Sequence, residues 1–85
     1  MNISKHEQRV LHVLALGGAI HFERLSSGKV ACVSCFTREG HLLEDCTHAV
    51  FDRLKKRGLI RSLRGRPYRA TRAGIIAVRA QQNQR

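Results

Sequence analysis

The chain predicts a single α+β domain of winged-helix type over residues 1–80, with an additional β-hairpin after its first helix. Three observations predict it. Two amphipathic segments begin with capping signals and end in glycine, at Ser4 to Gly18 and at Thr47 to Gly58. A short strand pair with a basic tip, Arg64-Gly65-Arg66, runs straight into a third capping residue, Thr71. Between the first two helices the hydrophobic period drops to two, the mark of strands.

Ser4 with Glu7 three residues on is a capping box, and Ile3 is placed to pack back on the first turn. Helix one is expected from about Lys5 to Leu16, with Val10, Leu11, Val13 and Leu14 on its apolar side and Arg9 and His12 toward solvent. Gly17 and Gly18 supply a left-handed stop. From Ala19 to Leu25, Ile20 and Phe22 alternate with His21 and Glu23. Ser26 to Lys29 turns, and Val30 to Phe36 returns with Val30, Cys32 and Phe36 on one side unless a bulge intervenes. Thr37 to Gly40 turns the chain again. His41 to Asp45 is either a short helix or a loop.

The second helix starts at the Thr47 cap, with Asp45 adding negative charge near its N-terminus and Lys55, Lys56 and Arg57 in its last turn, as the helix dipole favours. Val50, Phe51 and Leu54 form its one apolar stripe, so it needs a partner to pack on. Asp52 is spaced to pair with Lys56. Leu59 and Ile60 carry the buried side into a strand, and Pro67 to Ala70 return from the tip. After Thr71, Ile75, Ile76 and Val78 give the last helix an apolar side that fades near Ala80. Residues 81–85 have no apolar anchor and are expected to be a disordered tail.

Charge is the unusual feature of the composition. The chain carries 16 Lys and Arg against 6 Asp and Glu, a net charge of +10. All 6 acids lie before residue 53, whereas 11 of the 16 cations lie from Arg53 onward, so the positive potential belongs to one side of the molecule. That suits nucleic acid or an acidic protein surface. The cations alternate with Gly, Pro and strand positions and do not line one face of a long helix, as a membrane-surface segment requires. An 85-residue chain has one small core and little room for a deep catalytic cleft. Three cysteines and no signal-peptide pattern point to free thiols in a reducing compartment, hence the cytoplasm.

The candidate binding residues are Lys55, Lys56, Arg57, Arg61, Arg64, Arg66, Arg69 and Arg72, cations with no acid among them. Such a cluster neutralises phosphates or carboxylates; its bland alternative is a solvated face. Base-specific readout has less support, because the exposed side of the second helix carries Asp52 at its centre and no Asn, Gln or Arg in its first turn. Cys32 and Cys35 form a C-x-x-C with His41, Cys46 and His48 downstream. A strand throws the two thiols to opposite faces, and Cys46 has no second ligand at the usual spacing, so no metal or cofactor is assigned. A small zinc-dependent module remains a lesser reading. Pairing Cys35 or Cys46 with His41 or His48 gives a nucleophile and a base without an orienting group or oxyanion donors, so no catalytic residue is assigned and the chain is expected not to be an enzyme.

Four stretches, Glu7–Gly18 (EQRVLHVLALGG), Cys35–Lys56 (CFTREGHLLEDCTHAVFDRLKK), Gly65–Arg69 (GRPYR) and Val78–Gln81 (VRAQ), together resemble the small bacterial YjhX-type toxins over essentially the whole chain. The resemblance implies the toxin of a type II toxin-antitoxin pair that binds and inhibits bacterial DNA topoisomerase I and is neutralised by a cognate antitoxin protein. It assigns no individual residues. DNA is a further possible partner, and a winged-helix DNA-binding transcriptional regulator is the alternative function.

Overall fold

The computed structural model describes residues 3–83. Three helices and two antiparallel sheets pack around one core, in the order α1 (Lys5–Ala15), β1 (Ala19–Arg24), β2 (Val30–Phe36), β3 (Leu42–Leu43), α2 (His48–Lys56), β4 (Ile60–Arg61), β5 (Arg69–Ala70) and α3 (Arg72–Asn83). Sheet order is β1-β2-β3 and β4-β5. Ile20 and Tyr68 exchange backbone hydrogen bonds at 3.0 and 2.8 Å, which joins the edge of β1 to the basic hairpin.

Both the first and second helices begin and end as their sequences dictate. Ser4 Oγ accepts from the Glu7 amide while the Glu7 carboxylate accepts from the Ser4 amide, and Thr47 Oγ1 accepts from the Val50 amide. At the other end of α2, Gly58 takes a φ of 71° and donates to Lys55 O, and the Leu59 amide donates to Leu54 O, a Schellman stop whose Leu54 and Leu59 are both buried in the core. Val13, Leu14, Gly17 and Gly18 repeat the arrangement at the end of α1.

The core is built from Val10, Leu11 and Leu14 of α1, Ile20 and Cys35 of the larger sheet, Val50, Phe51 and Leu54 of α2, Leu59 and Ile60 at β4, and Ala77 and Val78 of α3. Tyr68 is only 4% exposed, with its ring edge-on to Phe51 (4.9 Å between centroids) and Phe22 (5.2 Å). A residue of the basic hairpin is thus the keystone between helix α2 and strand β1.

Several local expectations are revised. His41–Asp45 is neither helix nor plain loop: the turn at Thr37–Gly40 reverses the chain so that Leu42 and Leu43 pair with Phe36 and Cys35 as a third strand. Arg24 pairs with Val30 and Glu23 with Cys32, leaving Ala31 as a bulge that shifts the alternation of β2. Val30 consequently joins Val33 and Cys35 on the core side, while Cys32 is exposed and Phe36 lies against the His21 ring at 5.3 Å on the outer face. Asp52 pairs with His48, four residues before it, instead of Lys56. Asp45 does not serve α2; its carboxylate is held by His6 (2.9 Å) and Arg9 (3.2 Å) of α1.

On α3 the buried face is Gly74, Ala77 and Val78, with Ile76 55% exposed. Small residues are needed there, because a Cβ on Gly74 would collide with the Leu59 carbonyl oxygen and press on Leu11 Cδ2 at 3.2 Å. The helix backbone continues through Asn83, beyond where the apolar side was expected to fade; residues 84–85 of the expected tail lie outside the described residues.

Candidate nucleic-acid or acidic-partner interface

The basic hairpin is built around a left-handed two-residue turn. Arg64 has φ 55° and Gly65 φ 75°, and the Arg66 amide closes on Leu63 O at 3.1 Å, the pattern of a type I′ turn. Glycine accepts this backbone freely. For an arginine at the first position it costs about 1–2 kcal/mol, strain of a kind that gathers at working surfaces. The hairpin tolerates a side chain there that local geometry disfavours and the surrounding charge makes more costly still.

Behind the tip the hairpin and the start of α3 enclose an open groove of about 780 Å³, lined by Arg61, Arg64, Arg66, Arg69 and Arg72 together with Ala19, Leu63, Pro67, Ala70 and Thr71. Arg61 and Arg69 stand directly opposite each other across β4 and β5. Like charges so placed repel, by about 0.2–1 kcal/mol on the scale of cross-strand pairs, and a bound anion relieves them. Among the described residues, no carboxylate forms an ion pair with any of the five groove arginines.

The α3 N-terminus opens onto the same groove. Thr71 Oγ1 accepts from the Gly74 amide at 3.1 Å and donates to Gly58 O at 2.7 Å, so one hydroxyl caps α3 and ties it to the end of α2. No acid occupies the first turn of α3, so its positive dipole end adds to the guanidinium charge.

Five of the eight cations singled out in the sequence are therefore brought together, and three are not. Lys55, Lys56 and Arg57 are exposed on α2, away from the groove lining. Arg57 has other work: its Nη1 lies 3.3 Å from Glu7 Oε2, and Arg53 Nε lies 3.5 Å from Glu7 Oε1. Glu7, read from sequence only as half of a capping box, is a buried carboxylate that clamps α1 to α2. Leu63 was also missed as a groove residue; at 58% exposure it is a large apolar side chain beside the arginines, and its place between Arg61 and the tip was the available signal.

The remaining chemistry-bearing residues are occupied locally. His48 bridges Val30 O (3.0 Å) and Asp52 (3.2 Å), and these contacts raise its pKa above the ordinary 6.5, the Val30 carbonyl contributing most. His6, ahead of Arg9, holds the Asp45 carboxyl below the usual carboxylate range. Cys35 and Cys46 are buried neighbours, and the Cys35 thiol keeps its proton well above the usual range, first through its hydrogen bond to Cys46 and then through burial. All three cysteines are free thiols. Among the described residues no three His, Cys, Asp or Glu side chains are clustered closely enough to hold a metal ion, and no helix is long and apolar enough to cross a membrane.

Fold and groove together define a small, strongly basic α+β domain with an arginine-lined recess between a hairpin and a helix N-terminus. The family model of YjhX toxins, described as "putative toxin of bacterial toxin-antitoxin pair", matches residues 1–85. UPF0386 proteins of Parvibaculum lavamentivorans, Brucella anthropi and Aliivibrio fischeri are 59%, 55% and 53% identical to the chain, in each case over the whole of both sequences. The chain belongs to this YjhX toxin family. No solved structure matches it.

Proposed function

We propose that the protein is the toxin of a type II toxin-antitoxin pair that acts by binding alone, with bacterial DNA topoisomerase I as its target in the cytoplasm. The observation that carries this reading is the groove: five arginines line one recess, and no carboxylate is among its described lining residues. A surface held in that state gains most from a partner that brings negative charge, either an acidic face of the enzyme or the DNA it holds. The family resemblance supplies the target. Winged-helix organisation belongs to the same proposal, supported by the bridge from β1 to the basic hairpin and by the order of helix, hairpin and helix.

The test is relaxation of supercoiled plasmid by purified topoisomerase I with increasing amounts of this protein, extra enzyme and extra DNA being added separately. Relief by enzyme and not by DNA is the expected result. The variant carrying Arg64→Glu, Arg66→Glu and Arg69→Glu, all three exposed, should stay folded and lose inhibition. A folded triple variant that still inhibits removes the groove from the mechanism. Relief by competitor DNA alone points instead to a winged-helix DNA-binding regulator.

A further inference from the structure

The recess is not lined as a track for phosphates. Arginines alternate with apolar surface: Ala19, Leu63, Pro67 and Ala70 share the groove with the guanidinium groups, and Leu63 offers more than half of its area to solvent. A sugar-phosphate backbone makes little use of such apolar floor, whereas a peptide that alternates carboxylates with large apolar side chains matches both components. Size points the same way. At about 780 Å³ the recess falls within the roughly 300–1,000 Å³ of sites that enclose one small ligand or a short segment.

Charge sets the sign of the occupant. Arg61 and Arg69 face each other across the hairpin, and the α3 N-terminus behind them carries no acid in its first turn. Each of these features is relieved by carboxylates, which accept bidentate hydrogen bonds from guanidinium groups. Membership of a toxin-antitoxin family supplies a partner protein whose task is to silence this chain.

We propose that the groove between the basic hairpin and α3 receives an extended acidic segment of the antitoxin, its apolar side chains on Leu63 and Pro67 and its carboxylates on Arg61 and Arg69. Neutralisation is then direct occlusion: antitoxin and target need the same arginines and exclude each other. This rests on the reading that the groove arginines are the working surface of the toxin.

The experiment uses fluorescence anisotropy with the full chain and three labelled probes: an alternating Glu-Leu peptide, an all-Glu peptide of equal length, each of about ten residues so that an extended strand reaches past both ends of the contact, and a short DNA duplex. Purified antitoxin is measured in parallel. The alternating peptide should bind roughly tenfold more tightly than the all-Glu peptide despite carrying fewer charges, a margin matching burial of one or two methylene groups' worth of apolar surface. Leu63→Ser should erase that margin and leave the all-Glu peptide unaffected. Arg61→Glu with Arg69→Glu should weaken both peptides, and the antitoxin, by about a hundredfold, as expected when buried charged contacts are reversed. Melting curves establish that the variants are folded.

An all-Glu peptide that binds as well as the alternating one, or a Leu63→Ser variant that binds both unchanged, overturns the proposal. So does a duplex that binds more tightly than the peptides and displaces them, which makes the recess a nucleic-acid site. Antitoxin that binds both variants like the parent protein also overturns it. Plasmid relaxation is read separately: antitoxin captured through the groove by a protein that does not inhibit topoisomerase removes the proposed target and leaves the groove assignment standing.

Discussion

Replacing Glu7 by Gln tests whether the clamp between α1 and α2 contributes what its geometry implies. The carboxylate is 3% exposed at the side chain, while Arg53 and Arg57, its partners at 3.5 and 3.3 Å, are 50% and 39% exposed. Because water reaches both guanidinium groups, each pair is close to a surface ion pair, about 0.5–1 kcal/mol. The new amide also turns a donor toward donors in a buried position, costing about 1 kcal/mol more. With both pairs counted the total is about 2–3 kcal/mol. For a domain of this size each kcal/mol moves the melting temperature by about 4–8 °C, so Glu7→Gln should melt roughly 8–24 °C lower. Glu7→Ala should fall further by about 0.5–1 kcal/mol, since it also removes the acceptor for the Ser4 amide. Thermal melts by circular dichroism, with the exposed Glu39→Gln as control, read the difference. If Glu7→Gln melts within about 2 °C of that control, the clamp carries no energetic weight and the reasoning fails.

Two further outcomes follow from local geometry. His48 is easier to protonate in the folded chain than free histidine, because its two ring nitrogens meet the Val30 carbonyl and the Asp52 carboxylate. Its contribution is therefore complete below pH 6.5 and is lost as pH rises through the higher folded value, so the melting difference between parent and His48→Ala should shrink from acid to alkaline buffer; a difference that grows with pH contradicts the assignment. Arg64→Asn should raise stability by about 0.5–1 kcal/mol, because asparagine accepts the left-handed backbone better than arginine, while weakening inhibition of the target. A lower melting temperature for that variant means the tip is not strained.

Much of the architecture could be read from local signals. Ser4 with Glu7, Thr47, Gly17 and Gly58 set helix boundaries because caps and left-handed stops are decided by a few neighbouring residues. Arg64-Gly65 marked the hairpin tip for the same reason. The stripe of Val50, Phe51 and Leu54 is buried as its periodicity requires. What periodicity could not supply was pairing across distance. Leu42 and Leu43 carry no strand signal of their own and become a strand only because the Thr37–Gly40 turn lays them on β2. The bulge at Ala31 turns Val30 to the side of Val33 and Cys35, away from Cys32 and Phe36, an event of register that residue types do not announce.

The candidate site divides along the same line. An excess of cations after residue 53 and the absence of acids there are properties of composition, and they are enough to make an anionic partner the expectation. Which cations act together is a tertiary matter. Arg61 and Arg69 are eight positions apart in the chain and become neighbours through strand pairing, and Arg72 joins them because Thr71 caps α3 against the end of α2. Arg57 belonged to the same run of charge, yet Glu7, fifty residues away, pairs with it. Charge sums are additive along a chain and survive any fold; the company each charge keeps depends on contacts between distant residues, which only packing creates.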